Sequence, residues 1–318
     1  MAERKKIILD CDPGMDDSMA IVMAAKSPAL ELLAVTTVNG NYPIEVTSVN
    51  ARKVLELLGR QDIPVGRGMG KPLVRPVPSD PFTHGKDGQA EAFLPDPVMP
   101  LDPRHAVELI IDTVKANPGQ VTIVATGPLT NVAMALIKAP EIKDQIREIC
   151  AISGSFGLNS CAFTNATGDT PQSEWNVYVD PEAAKIVYES GVPLVALGLD
   201  VATYFDVNLT EQDLKRLEES DRKEAWFLRN AVRFVNGRGF DAYCAVIDCM
   251  AVAYAIDPTL VTTMEGHVGV ETKDGLTLGM TVLDRRHHHV WTHLPVIRIG
   301  AEAKYGEFLQ LLMETVLA

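Results

Sequence analysis

"KKIILDCDPGMDD", residues Lys5–Asp17, decides how the rest of the chain is read. Its apolar run "KIILDC" (6–11) is short and unbroken, as in a strand buried on both faces of a parallel sheet. Pro13-Gly14 turns the chain, and "DDSMAIVMAAKS" continues with helical character. Four of the last eight residues are carboxylates: Asp10, Asp12, Asp16 and Asp17. Asp10 and Asp12, two apart on a strand, share a face. Asp16 and Asp17 fall in the first helical turn, where the helix dipole favours each by about 0.3–1 kcal/mol. Capping explains one or two acids but not four, because like charges a few ångströms apart repel strongly. A bound cation removes that repulsion, and an all-oxygen ligand set suits Ca²⁺ or Mg²⁺ better than zinc. An EF-hand is excluded, since Ile21 stands twelfth from Asp10 where a bidentate Glu is required.

Outward from this stretch, strand and helix alternate. "ELLAVTTV" (31–38), "VTIVAT" (121–126), "REICAIS" (147–153) and "VPLVALG" (192–198) read as strands. "VTSVNARKVLELLG", closed by Gly59, and "RHAVELIIDTVKAN" (104–117) read as amphipathic helices. The pattern predicts an α/β fold, an open and mostly parallel sheet flanked by helices, with the whole chain, 1–318, as one domain. The C-terminal part adds helical segments at 211–236 and 245–256, strand-like runs near 267–284 and a closing helix at about 301–317. Two stretches rich in turn formers, 66–100 and 154–176, read as functional loops. Ligands of such sheets bind beyond the carboxyl ends of the strands, which is where the four acids lie.

The 318 residues carry a net charge of −13 and 47% hydrophobic residues. That balance argues against nucleic acid or an anionic membrane surface as partner and leaves room for a neutral small molecule or a cation. Five widely spaced cysteines, without a CxxC pair, read as reduced thiols and predict a cytoplasmic protein. A phosphatase of the haloacid dehalogenase type also places DxD after its first strand. Pro13 and Gly14 depart from its usual pattern, however, and its later lysine and paired-Asp motifs have no convincing counterpart.

"DCDPGMDD", "AVTTVNGN", "TGPLTN" and "EWNVYVDPEAA", in this order, resemble the nucleoside hydrolases of the inosine–uridine-preferring family. The resemblance runs from Lys5 to about Pro258, with weaker support in "GLTLGMTVLDRR" (275–286). It implies an open α/β fold, Ca²⁺-dependent hydrolysis of the N-glycosidic bond of ribonucleosides, and a homodimer or homotetramer. It further implies that Asp12, Asp17, the backbone carbonyl of Thr126 and Asp248 hold Ca²⁺, with Asp12 also the general base on water. By the same resemblance, Asp16, Asn41 and Asn176 would hold the ribose 2′- and 3′-hydroxyls, and Glu174 the 5′-hydroxyl. Asp10 orients the ligands from behind. Such a set fits the chemistry, because glycosidic cleavage develops positive charge on the sugar and carboxylates stabilise it.

The chain departs from the family on the base and 5′ sides. Ile247 stands where many members carry a leaving-group His before the aspartate matching Asp248, and Gly168 aligns with an Asn that helps hold the 5′-hydroxyl. Ser153 replaces a glycine. His84, in "FTHGKDG", is the candidate substitute acid, and Trp175, Phe156, Tyr243 and Trp226 are candidates to stack on the base. Cys244 and Cys249 read as inert buried thiols, and His287-His288-His289 as an exposed loop. The expectation is a ribonucleoside hydrolase with atypical base recognition. The alternative is a catalytically impaired nucleoside- or ribose-binding protein of the same fold.

Overall fold

Strand β1 (Lys5–Cys11) alternates its side chains between two cores: Ile7, Leu9 and Cys11 face one, and Ile8 faces the other. That double burial is why the middle of the segment, Ile7–Leu9, is wholly apolar and sits inside a sheet. The computed structural model describes residues 4–78, 80, 82–204 and 207–318. Residues 1–3 of the expected domain, and Ser79 and Pro81 of the long loop, lie outside the described residues. Eight more strands complete the sheet: β2 (Leu30–Thr37), β3 (Val65–Arg67), β4 (Val121–Ala125), β5 (Ile146–Ile152), β6 (Leu194–Leu197), β7 (Val261–Val270), β8 (Thr281–Asp284) and β9 (Val296–Ala303).

Their order is β3-β2-β1-β4-β5-β6-β9-β7-β8. Pairing is parallel from β3 through β9, and β7 runs antiparallel between β9 and β8. The chain winds outward from β1 in both directions, so the strand order reverses between β1 and β4. An open sheet has its crevice at such a point.

Helices α1 (Met15–Lys26), α2 (Ile44–Leu57), α3 (Ala106–Ala116), α4 (Thr130–Lys138), α5 (Cys161–Thr164), α6 (Trp175–Val179) and α7 (Pro181–Tyr188) connect the first strands. Then follow α8 (Leu199–Ala202), α9 (Glu211–Glu218), α10 (Lys223–Asn236), α11 (Cys249–Ile256) and α12 (Tyr305–Leu317). α1, α10, α11 and α12 pack together on one face, and α3, α4 and α7 on the other. α1 is buried along its whole length, from Met15 to Ala25, so the acids of its first turn are carried into the interior.

Three expectations need correction. The closing helix does not begin at 301: residues 296–303 form β9, which reaches its partners β6 and β7 across long sequence separations, and the helix starts at Tyr305. The segment 211–236 is two helices: α9 starts at the capping box of Thr210 and Asp213 and ends at Glu218, and after a break at 219–222 Arg222 precedes α10. The segment 245–256 is helical as α11 only from Cys249. Among the described residues, the loops at 66–100 and 154–176 are irregular apart from the end of β3, α5 and the start of α6. Among the described residues, no helix is long and apolar enough to cross a membrane. The five cysteines are free, and His287–His289 are exposed.

Candidate active site

The turn after β1 folds back on the first turn of α1. Asp17, at the third helical position, accepts from the Gly14 amide (3.2 Å, Oδ2) and the Asp12 amide (3.2 Å, Oδ1). The Thr126 hydroxyl, at the end of β4, donates to the same Asp17 Oδ1 (2.7 Å). Asp16 accepts from the Asp17 amide (3.1 Å) and lies close to Asp248, which precedes α11. One oxygen each from Asp16, Asp17 and Asp248 can be drawn from within 4.8 Å of one another, and all three residues are buried.

Asp12 completes the corner. Its Oδ2 accepts from the Asn41 amide (2.6 Å), and its Oδ1 is buried without a partner. β2 and β4 can close around it only because Gly40 and Gly127 carry no side chain, since a Cβ at either would run into the Asp12 carboxylate. Asp10 lies behind, accepting from the Thr36 hydroxyl (2.6 Å) and the Asn131 amide (2.8 Å) at one oxygen.

Burial holds every one of these carboxyls above the ordinary range. Asp16 and Asp17 are raised to about 6 and Asp10 to about 7, in each case mainly by loss of water. Asp12 and Asp248 are pushed well above 3.8 by burial and then by the neighbouring aspartates. Without a counter-ion the corner must hold protons to relieve its charge. An orphaned carboxylate oxygen among four buried acids fits a hard cation with oxygen ligands.

Above the corner opens a cavity of about 500 Å³. Asp16, Asn41, Thr126, Glu174, Asn176 and Asp248 contribute to its wall, as do His84, Trp175, Tyr243 and Ile247. Glu174 caps α6 and is raised to about 7 by burial. Asn176 donates from Nδ2 to the carbonyls of Thr126 (2.7 Å) and Ile152 (3.0 Å), tying α6 to the ends of β4 and β5. The Thr126 carbonyl therefore already accepts one hydrogen bond.

His84 reaches back from the long loop to the start of α1. Its Nδ1 accepts from the Met15 amide (3.4 Å) and lies 3.5 Å from Asp16 Oδ1. Burial lowers its pKa, against the pull of Asp17 and Asp80. When neutral, an imidazole whose Nδ1 accepts the Met15 amide carries its proton on Nε2.

The structure thus brings the predicted site residues around one crevice and distributes them differently. Asp16, expected at the ribose, clusters with Asp17 and Asp248, whereas Asp12 stands beside that trio rather than within it. Of the four aromatic candidates, Trp175 and Tyr243 line the cavity; Phe156 belongs to the core and Trp226 is an exposed position on α10. Ser153 is satisfied by the Tyr188 hydroxyl (3.0 Å). Thr36 and Asn131 escaped sequence reasoning as supports of Asp10, although Asn131 closes the "TGPLTN" motif. The Asn131 amide nitrogen also donates to the Thr37 carbonyl (2.9 Å), and its oxygen accepts from the Met69 amide (2.9 Å).

Carboxylates gathered under a cavity at the reversal point of an open α/β sheet are the equipment of a metal-assisted glycosidase. The chain belongs to the inosine-uridine preferring nucleoside hydrolase family, whose profile matches residues 7–310. It is 40% identical over 288 residues to the inosine-uridine preferring nucleoside hydrolase of Leishmania major, covering 89% of this chain and 88% of the relative. It is 37% identical over 314 residues to the pyrimidine-specific ribonucleoside hydrolase RihA of Citrobacter koseri, covering 97% and 96%. The structure of the plant nucleoside hydrolase PpNRh1 superposes with a TM-score of 0.88 at 31% identity, covering 99% of this chain and 100% of that one. The protein is therefore an N-ribohydrolase acting on the N-glycosidic bond of ribonucleosides.

Proposed function

We propose that this enzyme releases free base and ribose from ribonucleosides with Ca²⁺ in the acidic corner, and that it recognises the base in an atypical way. The unpartnered Asp12 Oδ1, buried beside three further carboxylates, carries the reading. Asp12, Asp17, Asp248 and the Thr126 carbonyl would hold the ion, with Asp16 close enough to share it. When bound, the ion neutralises the aspartates and supplies Lewis acidity that lowers the pKa of water.

The residues themselves supply the rest. Asp12 takes the proton of the water that attacks C1′ of the ribose. As the C1′–N bond breaks, its electron pair leaves with the base and positive charge grows on the sugar, where Asp16 and Glu174 stabilise it. Asp16, Asn41 and Asn176 bind the 2′- and 3′-hydroxyls, and Glu174 the 5′-hydroxyl. A deoxy substrate leaves such buried groups unpaired and is discriminated against. Ile247 has no proton to give, so the leaving base draws its hydrogen bond from the His84 Nε2–H. Trp175 and Tyr243 supply apolar faces for the base.

We read residues 1–318 as one catalytic domain, assembled as a homodimer or homotetramer in the cytoplasm. The function is tested by reducing-sugar release from a panel of purine and pyrimidine ribonucleosides, with a chelator and after replenishment with Ca²⁺ or Mg²⁺. Turnover lost on chelation and restored best by Ca²⁺ is expected. Full turnover in a protein verified to be metal-free refutes the metal assignment.

A further inference from the structure

The Trp175 indole Nε1 is buried and has no hydrogen-bond partner. Among the described residues that line the cavity, it is the one buried side-chain donor left in that condition. A buried polar group without a partner is costly, and the indole nitrogen can only donate. The ring stacks on Tyr178 (centroids 6.0 Å apart, planes at 26°), and the Trp175 backbone amide donates to the Thr167 hydroxyl (2.8 Å).

The adjoining residue supplies the complementary chemistry. Glu174 Oε1 accepts from the Asn176 amide (2.7 Å), and Oε2 accepts from the amides of Val177 (3.1 Å) and Gly154 (3.2 Å). A carboxylate has about four acceptor sites, so about one remains, suited to a hydroxyl hydrogen. A hydroxyl held by its hydrogen still offers its oxygen lone pairs, and these call for a donor. Side chains cannot provide one from Gly168, where a Cβ would run into Ser173 and Tyr178.

We infer that Trp175 is a substrate-binding residue whose indole N–H donates to the ribose 5′-hydroxyl oxygen while Glu174 accepts that hydroxyl's hydrogen. The inference rests on the proposed ribonucleoside site and assigns its 5′ contact. Trp175 and Glu174 then form a donor–acceptor pair that requires a free 5′-hydroxyl.

The test compares uridine with 5′-deoxyuridine, and inosine with 5′-deoxyinosine, as substrates of the wild type and Trp175→Phe. Phenylalanine keeps an aromatic ring to face Tyr178 and removes the N–H together with part of the ring, and the 5′-deoxy substrates report the loss of ring alone. The variant should lose about tenfold in kcat/KM on the hydroxylated substrates and little on the 5′-deoxy ones, so the 5′-hydroxyl preference shrinks by that factor. Equal losses on both members of a pair would show a structural role and overturn the inference, as would unchanged kinetics. Equilibrium binding of the same pairs to Asp12→Asn and to Asp12→Asn/Trp175→Phe gives a readout independent of turnover. There too the second substitution should weaken only the hydroxylated ligand, and equal or absent weakening overturns the assignment. If the wild type hydrolyses neither member of either pair, the functional reading fails, while the binding comparison still decides the contact.

Discussion

Removing divalent cations should make this protein less stable as the pH rises from 5 to 7, against the usual behaviour of buried-acid sites that are already paired. Asp16 and Asp17 titrate at about 6 in the fold, whereas the ordinary value is 3.8. Between those values the folded chain binds more protons than the unfolded one, so stability falls with rising pH. A shift of about two units corresponds to about 3 kcal/mol per carboxyl over the whole window, nearly half of it between pH 5 and 7. Asp12 and Asp248, raised further, add to the slope. His84, whose pKa is lowered, works in the opposite direction, as one group against several. A cation in the corner holds the carboxylates deprotonated and removes the dependence. Differential scanning calorimetry from pH 5.0 to 7.5, with a chelator or with saturating CaCl₂, reads the effect. The gap between the two midpoints should widen by about 5 °C or more toward neutral pH, taking about 2–4 °C per kcal/mol. A gap that stays constant or narrows as the pH rises would refute the placement of the ion among these acids.

Other outcomes follow from the same geometry. Asn131→Ala leaves Asp10, the Thr37 carbonyl and the Met69 amide short of a partner, and should cost about 2–4 kcal/mol in denaturant titration while weakening metal affinity. Ribonucleoside 5′-monophosphates should be poor substrates in a ribose-release assay. The cavity lining includes Asp16, Asp80, Glu174, Asp241 and Asp248 and, among the described residues, no Lys or Arg to receive a phosphate. His84→Ala should lower kcat by about 10²-fold with KM little changed if the imidazole assists base departure, which steady-state kinetics on inosine and uridine measures.

Much of this was legible before the structure, and the reasons are physical. β1, β2, β4, β5 and β6 announce themselves as largely apolar runs because both their faces are buried, whereas β3, three residues ending in an exposed Arg67, reads as the start of a loop. Nor does β9 announce itself. Its residues 296–303 are only partly buried, and the strand exists through pairing with β6, about a hundred residues earlier, and with β7. Local periodicity carries no record of such partners, so its end merged with the amphipathic α12 behind it. The acidic corner could be read because four carboxylates in eight residues demand a counter-charge. Its internal division could not, since Asp248 meets Asp16 only through the packing of α1 against α11. Asn131 sat in a quoted motif, but its reach to Asp10 depends on where α4 begins beside β1. Trp175 reads in sequence as one more aromatic, and only the unpartnered indole nitrogen singles it out.

The account turns on Asp12 as the group that takes the proton from the attacking water. The most direct measurement is single-turnover ribose release by Asp12→Asn and wild type at saturating CaCl₂, on the ribonucleoside the wild type cleaves fastest. Asparagine preserves the size of the side chain and an oxygen to accept the Asn41 amide, so the variant should fold, bind nucleoside and release ribose at least about 10²-fold more slowly. Ribose release by a folded Asp12→Asn at the wild-type rate would contradict the account.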